Sequence, residues 1–138
     1  MYMKNLRKLI ILLLAVVLFS CKKDENKINT EIAYSMLSDK TWFLDFTQTG
    51  TESKNYVGQS TYFINFLNDR TTKDSDGTKG SFSIVSSNGQ LQILVNATSI
   101  NGNPLVYTYQ IESIGANNLI LSFVVNGQTT KMYYSLKK

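Results

Sequence analysis

The chain has 138 residues, carries 14 Lys and Arg against 10 Asp and Glu for a net charge of +4, and contains one cysteine and no histidine. That length supports one core rather than two sizeable domains. The missing histidine removes Ser-His-Asp and Cys-His nucleophilic systems and most transition-metal sites, and a lone cysteine permits no internal disulfide.

At the N-terminus, Lys4, Arg7 and Lys8 lead into an apolar run from Leu9 to Phe19 that breaks at Ser20-Cys21. A basic start, a short apolar stretch and a small residue at the cut are the parts of a secretory signal. The run has 11 residues (9 to 19), whereas a membrane-spanning helix needs about 20. The junction Leu18-Phe19-Ser20-Cys21 resembles the lipobox of bacterial lipoproteins. That resemblance implies removal of residues 1–20, acylation of Cys21 with palmitate-type chains, and a membrane partner reached through the N-terminal lipid. More than one acyl chain makes such anchoring stable.

Loss of Lys4, Arg7 and Lys8 with the signal leaves 11 basic side chains against 10 acidic ones, a net charge of +1. The basic balance is therefore an export feature, and no basic stripe remains for nucleic acid. The charged stretch Lys22-Lys23-Asp24-Glu25-Asn26-Lys27 reads as a solvated tether over residues 21–28. Acidic residues soon after the cysteine also resemble the export tags of surface lipoproteins of Gram-negative bacteria. They imply a place in the cell envelope, at the outer membrane and facing outward.

Residues 29–138 form the domain. Ile28, Ile32 and Met36 recur at four-residue spacing with Leu37 alongside, which predicts a short amphipathic helix over 29–38, with Asn29 or Thr30 as its cap. Beyond it the period changes to two. Trp42, Leu44 and Phe46 share one strand face, as do Tyr62, Ile64 and Phe66. Phe82 and Ile84 follow, then Leu91, Ile93 and Val95, then Tyr107, Tyr109 and Ile111. Leu119, Leu121, Phe123 and Val125 make another inward stripe, and Met132, Tyr134 and Leu136 the last.

Asp76-Gly77, Asn88-Gly89 and Asn126-Gly127 are two-residue hairpin signals, because both central positions need positive φ. Longer turns lie at residues 101–104 and 115–118. With a short polar strand near Arg70 to Lys73, this makes about eight strands joined as neighbours. Such a chain favours a single up-and-down antiparallel barrel, since closure removes exposed edges. A β-sandwich is the alternative.

The run Leu37-Ser38-Asp39-Lys40-Thr41-Trp42-Phe43-Leu44 resembles the opening of lipocalin-like domains, a short helix and turn followed by a strand tryptophan. Tyr62-Phe63-Ile64-Asn65-Phe66 and Leu119-Ile120-Leu121 fit the same pattern, so the resemblance spans residues 34–138. It implies an all-β, lipocalin-like barrel that holds a small apolar ligand, with the first long loop over its mouth.

Few chemical groups remain for a site. Asp74 and Asp76 resemble a fragment of a calcium loop, but Ser83 stands where that loop needs a bidentate glutamate, which favours a plain turn. Asp45 and Glu112 fall on polar strand faces as solvated charges. No cofactor, metal site or enzymatic activity is expected. The aromatic residues carry more: Trp42, Phe46, Tyr62, Phe66, Phe82, Tyr107, Tyr109, Phe123 and Tyr134 all fall on inward faces. They either fill the barrel or wall a small cavity. Tyr107 and Tyr109, paired on one face, and Tyr56, in the polar connection of residues 49–60, are the candidate ligand-binding residues. Phe63, Leu67, Leu94, Ile120 and Val124 fall outward, where they would pack under the helix or meet a protein partner. Two readings follow: a lipid-anchored binding module, or an envelope interaction protein with a filled barrel.

Overall fold

The structure, a computed structural model, describes residues 25–57 and 62–136. The signal segment 1–20, Cys21 and the start of the tether lie outside these, as do residues 58–61 of the first long connection. The helix α1 spans Glu25–Leu37, so it begins inside the stretch read as tether and before Asn29. It is followed by strands β1 (Lys40–Thr49), β2 (Glu52–Asn55), β3 (Phe63–Phe66), β4 (Thr71–Asp74) and β5 (Lys79–Ser87). The chain ends with β6 (Gln90–Thr98), β7 (Pro104–Ile114), β8 (Asn118–Val125) and β9 (Gln128–Leu136).

Each strand from β3 onward pairs antiparallel with the next, and β1 pairs with both β3 and β9. The sheet therefore closes as an eight-stranded antiparallel barrel, with β2 as a short extra strand beside the upper half of β1. Closure satisfies backbone groups that an open edge would expose. The expected barrel is present, and the sandwich is not. The polar connection after β1 is partly strand: Thr47 pairs with Lys54 and Thr49 with Glu52. Along β1, the backbone partner of Leu44 is Tyr62, and the partner of the adjoining Asp45 is Tyr56.

The turns follow their local chemistry. Asn88-Gly89 and Asn126-Gly127 hold positive φ at both positions, as two-residue hairpins require. Asp76-Gly77 departs from that reading, because only Gly77 is left-handed (φ 83°). Gly77 N–H bonds to the Asp74 carbonyl and Asp74 N–H to Thr78, so the loop is a three-residue type.

The core contains Leu37, Trp42, Phe66, Phe82, Ile93, Leu119, Leu121 and Tyr134. Trp42 is fully buried at the end of the barrel closed by α1, and its indole N–H donates to the Leu37 carbonyl at 2.9 Å. That bond satisfies the one polar atom of the largest core side chain and one of the carbonyls a helix end leaves unpaired. Asp39 then turns the chain with φ 56°, and its carboxylate accepts hydrogen bonds from the backbone and side chain of Asn68. Tyr34 stacks on Phe82 at 5.7 Å. The helix face differs from the expected one: Ala33 and Leu37 are buried, while Ile32 is 51% exposed.

Two irregularities change the alternation. In β1 the pairing with β9 runs from Leu44–Tyr134 to Phe46–Tyr133, a bulge that adds Asp45. One extra residue swaps the faces. Phe46, read as inward, therefore points outward and stacks on Tyr133 at 4.0 Å. In β7 the register slips between Ile111 and Ser113, which makes Glu112 the extra residue. Both bulge carboxylates are held by a neighbouring hydroxyl: Ser135 donates to Asp45 at 3.0 Å and Ser122 to Glu112 at 2.6 Å. They are anchored charges rather than freely solvated ones.

In chemical denaturation, Trp42→Ala is expected to lose about 3–5 kcal/mol, the range for a large aromatic truncated in a core. Phe46→Ala is expected to lose no more than about 1.5 kcal/mol, the scale of one exposed aromatic pair. Equal losses from the two variants would contradict the bulge.

Candidate functional site at the open end of the barrel

The β1–β2, β4–β5, β6–β7 and β8–β9 turns all lie at the end opposite α1. Just inside that end is a pocket of about 120 Å³. Its space arises from small residues facing large ones. Thr72 on β4 pairs with Gly80 on β5, and Gly80 pairs with Ala97 on β6. This row of small side chains crosses the wall, and Gly80 sits so close to β6 that a Cβ there would overlap the Asn96 carbonyl and Ala97. Tyr62, Tyr107 and Tyr109 provide the aromatic lining of the same pocket, and Val95 and Ile64 add apolar surface.

The tyrosines are held by packing. The rings of Tyr107 and Tyr109 stack at 5.8 Å, and Tyr109 meets Phe123 edge-on at 6.0 Å. Tyr134 lies buried below them, with its hydroxyl 3.3 Å from the Met132 sulfur. Asp74 closes the rim at the end of β4. Its Oδ1 accepts the N–H groups of Asp76 at 3.0 Å and Thr78 at 2.9 Å, so one oxygen shapes the turn. Its Oδ2 lies 3.5 Å from the Tyr62 hydroxyl, a long contact for a charged acceptor. The Asp74–Asp76 pair is thus a turn, with one carboxylate oxygen facing the pocket.

Burial sets the electrostatics. It raises the Tyr62 hydroxyl well above its ordinary value, helped by the negative charge of Asp74. Tyr109 is pushed up to about 12, first by burial and then by Tyr107 and Asp74. Tyr134 is raised too, mainly by burial. At neutral pH these phenols are protonated and serve as hydrogen-bond donors.

Of the candidate ligand-binding residues, Tyr107 and Tyr109 line the pocket, and Tyr107 remains 38% exposed at the mouth. Tyr56 does not line it: its backbone N–H bonds to the Asp45 carbonyl at 2.7 Å, and its ring carries the Lys54 ammonium at 5.1 Å. Alternation had placed Tyr62 among the inward aromatic residues that fill the barrel or wall a cavity, and Val95 inward without a site. Asp74, Thr72 and Ala97 became site residues only through register, which no local pattern in the sequence reveals. Among the described residues, no group of three or more acidic, histidine or cysteine side chains is arranged to hold a metal ion, and no helix is long and apolar enough to cross a membrane. No known protein family, curated protein or solved structure matches the chain.

The raised phenols predict an alkaline weakness. The folded protein keeps protons on them that the unfolded chain releases near pH 10, so their contribution is complete below that value and falls as pH rises toward about 12. Thermal melts between pH 8 and pH 12 are expected to hold steady up to about pH 10 and then to drop in parallel with phenolate absorbance. Unchanged melting across the phenolate transition would contradict burial of these hydroxyls.

Proposed function

We propose that this chain is an exported lipoprotein, anchored at the outer membrane through acylated Cys21, whose lipocalin-like barrel binds a small ligand and catalyses no reaction. The pocket walled by Tyr62, Tyr107 and Tyr109 at the barrel mouth carries this reading. At about 120 Å³ it is smaller than the 300 Å³ or more of ordinary ligand sites. It takes one end of a ligand, about the size of a single ring, and the rest extends through the open mouth. The tyrosines offer flat apolar faces for contact and protonated hydroxyls for orientation. The helix that follows the anchor closes the opposite end, which leaves the mouth free for exchange.

A second reading, an envelope interaction protein with a filled barrel, draws on the outer wall. There Phe43 on β1 meets Phe63 on β3 edge-on at 5.8 Å, and further along β1 Phe46 stacks on Tyr133 of β9. Partly exposed aromatic surface of this kind suits a protein contact.

One set of experiments tests the proposal. Metabolic labelling with a fatty acid is expected to mark the wild type and not Cys21→Ala. In a non-ionic detergent, the full chain is expected to bind small single-ring probes saturably with one-to-one stoichiometry. Ala97→Leu, which fills the small-residue wall, should weaken that binding at least about tenfold without loss of fold. Equal labelling of both chains would refute the anchor. Absence of saturable binding would move the outer-wall reading ahead.

A further inference from the structure

The pocket holds one charged oxygen among aromatic faces, and that combination has a chemical consequence. Asp74 Oδ1 is committed to the turn through Asp76 and Thr78. Its Oδ2 faces the pocket, 3.5 Å from the Tyr62 hydroxyl. The carboxylate's charge reaches the tyrosine cluster, since it helps to raise Tyr62, Tyr109 and Tyr134. The lysines of the same hairpin, Lys73 and Lys79, pair across β4 and β5 at positions that alternate outward, and both are exposed. Lys73 also borders the pocket, beside Asp74 on the same strand. A carboxylate beside several aromatic faces attracts cations twice, through direct charge and through the negative faces of the rings. It repels carboxylates and phosphates.

We propose that the mouth is selective for organic cations, and that the ligand end it accepts is a small protonated amine joined to a flat or apolar group. This rests on the binding reading above and names the ligand class of the same pocket. The ammonium sits between Asp74 Oδ2 and the Tyr62 and Tyr109 hydroxyls, and the adjoining ring lies against Tyr107 and the wall of Thr72 and Ala97. A neutral probe of the same shape gains the packing but not the charge-assisted bond.

The test compares 2-phenylethylammonium, 2-phenylethanol and phenylacetate by calorimetry with the full chain in non-ionic detergent. The cation is expected to bind one-to-one, the alcohol about ten- to a hundredfold more weakly, and the anion not measurably. Asp74→Asn keeps an oxygen that accepts the Asp76 and Thr78 N–H groups, so the turn and the fold should persist. In that variant the preference for the cation over the alcohol should vanish, while Asp76→Asn should retain it. If the alcohol binds the wild type as tightly as the cation, charge selectivity is refuted while the binding module stands. The same holds if Asp74→Asn leaves the preference unchanged. If none of the three probes binds, the binding reading itself falls, and the cation proposal falls with it.

Discussion

The indole N–H of Trp42, donated to the Leu37 carbonyl, joins the helix to the barrel at the point where both would otherwise leave polar groups unpaired. Without that bond the largest side chain of the core would hold a buried donor with no acceptor, at a cost of several kcal/mol on top of lost packing. With it, the helix end becomes the floor of the barrel. Leu37 and Ala33 are then drawn against the strands, and Tyr34 reaches Phe82. Tyr34 also donates its hydroxyl toward the Leu67 and Asn68 carbonyls, which ties the helix to the β3–β4 turn.

A floor at one end makes the two ends of the barrel different. Below, Trp42, Phe66, Phe82 and Leu119 fill the interior between the strands. Above, the row Thr72, Gly80 and Ala97 withdraws from the opposite wall, and the tyrosines lean over the space that results. An eight-stranded barrel is narrow enough for side chains alone to decide between filled and open. Here they do both, at different heights. Asp74, whose Oδ2 faces the pocket, belongs to the open half.

Much of this was legible in the chain itself, and the failures have physical causes. Strand alternation placed Trp42, Phe66, Phe82 and Tyr134 in the core and paired Tyr107 with Tyr109 on one inward face, because period two follows directly from strand geometry. The Asn-Gly hairpins were equally plain, since few residues tolerate positive φ. Phe46 was misplaced because the bulge at Asp45 exists only in the pairing of β1 with β9, some ninety residues away. Nothing near Asp45 announces it. The helix face was misread because Ile32 has the stronger apolar signal, yet Ala33 is the residue that packs against the barrel. The wall of Thr72, Gly80 and Ala97 is spread over three strands, so the pocket became visible only when register joined them. Asp74 read as a turn residue, which it is; its second oxygen acquires another role from Tyr62, twelve positions earlier.

A binding site inside the mouth is tested most directly by where a ligand touches the barrel. Amide chemical-shift mapping of the full chain in non-ionic detergent micelles, titrated with 2-phenylethylammonium, measures that contact residue by residue. The largest shifts are expected at Tyr62, Thr72, Asp74, Ala97, Tyr107 and Tyr109, with Leu37 and Trp42 at the floor unmoved. Shifts centred instead on the outer wall around Phe43, Phe63 and Tyr133 would contradict a binding site inside the mouth.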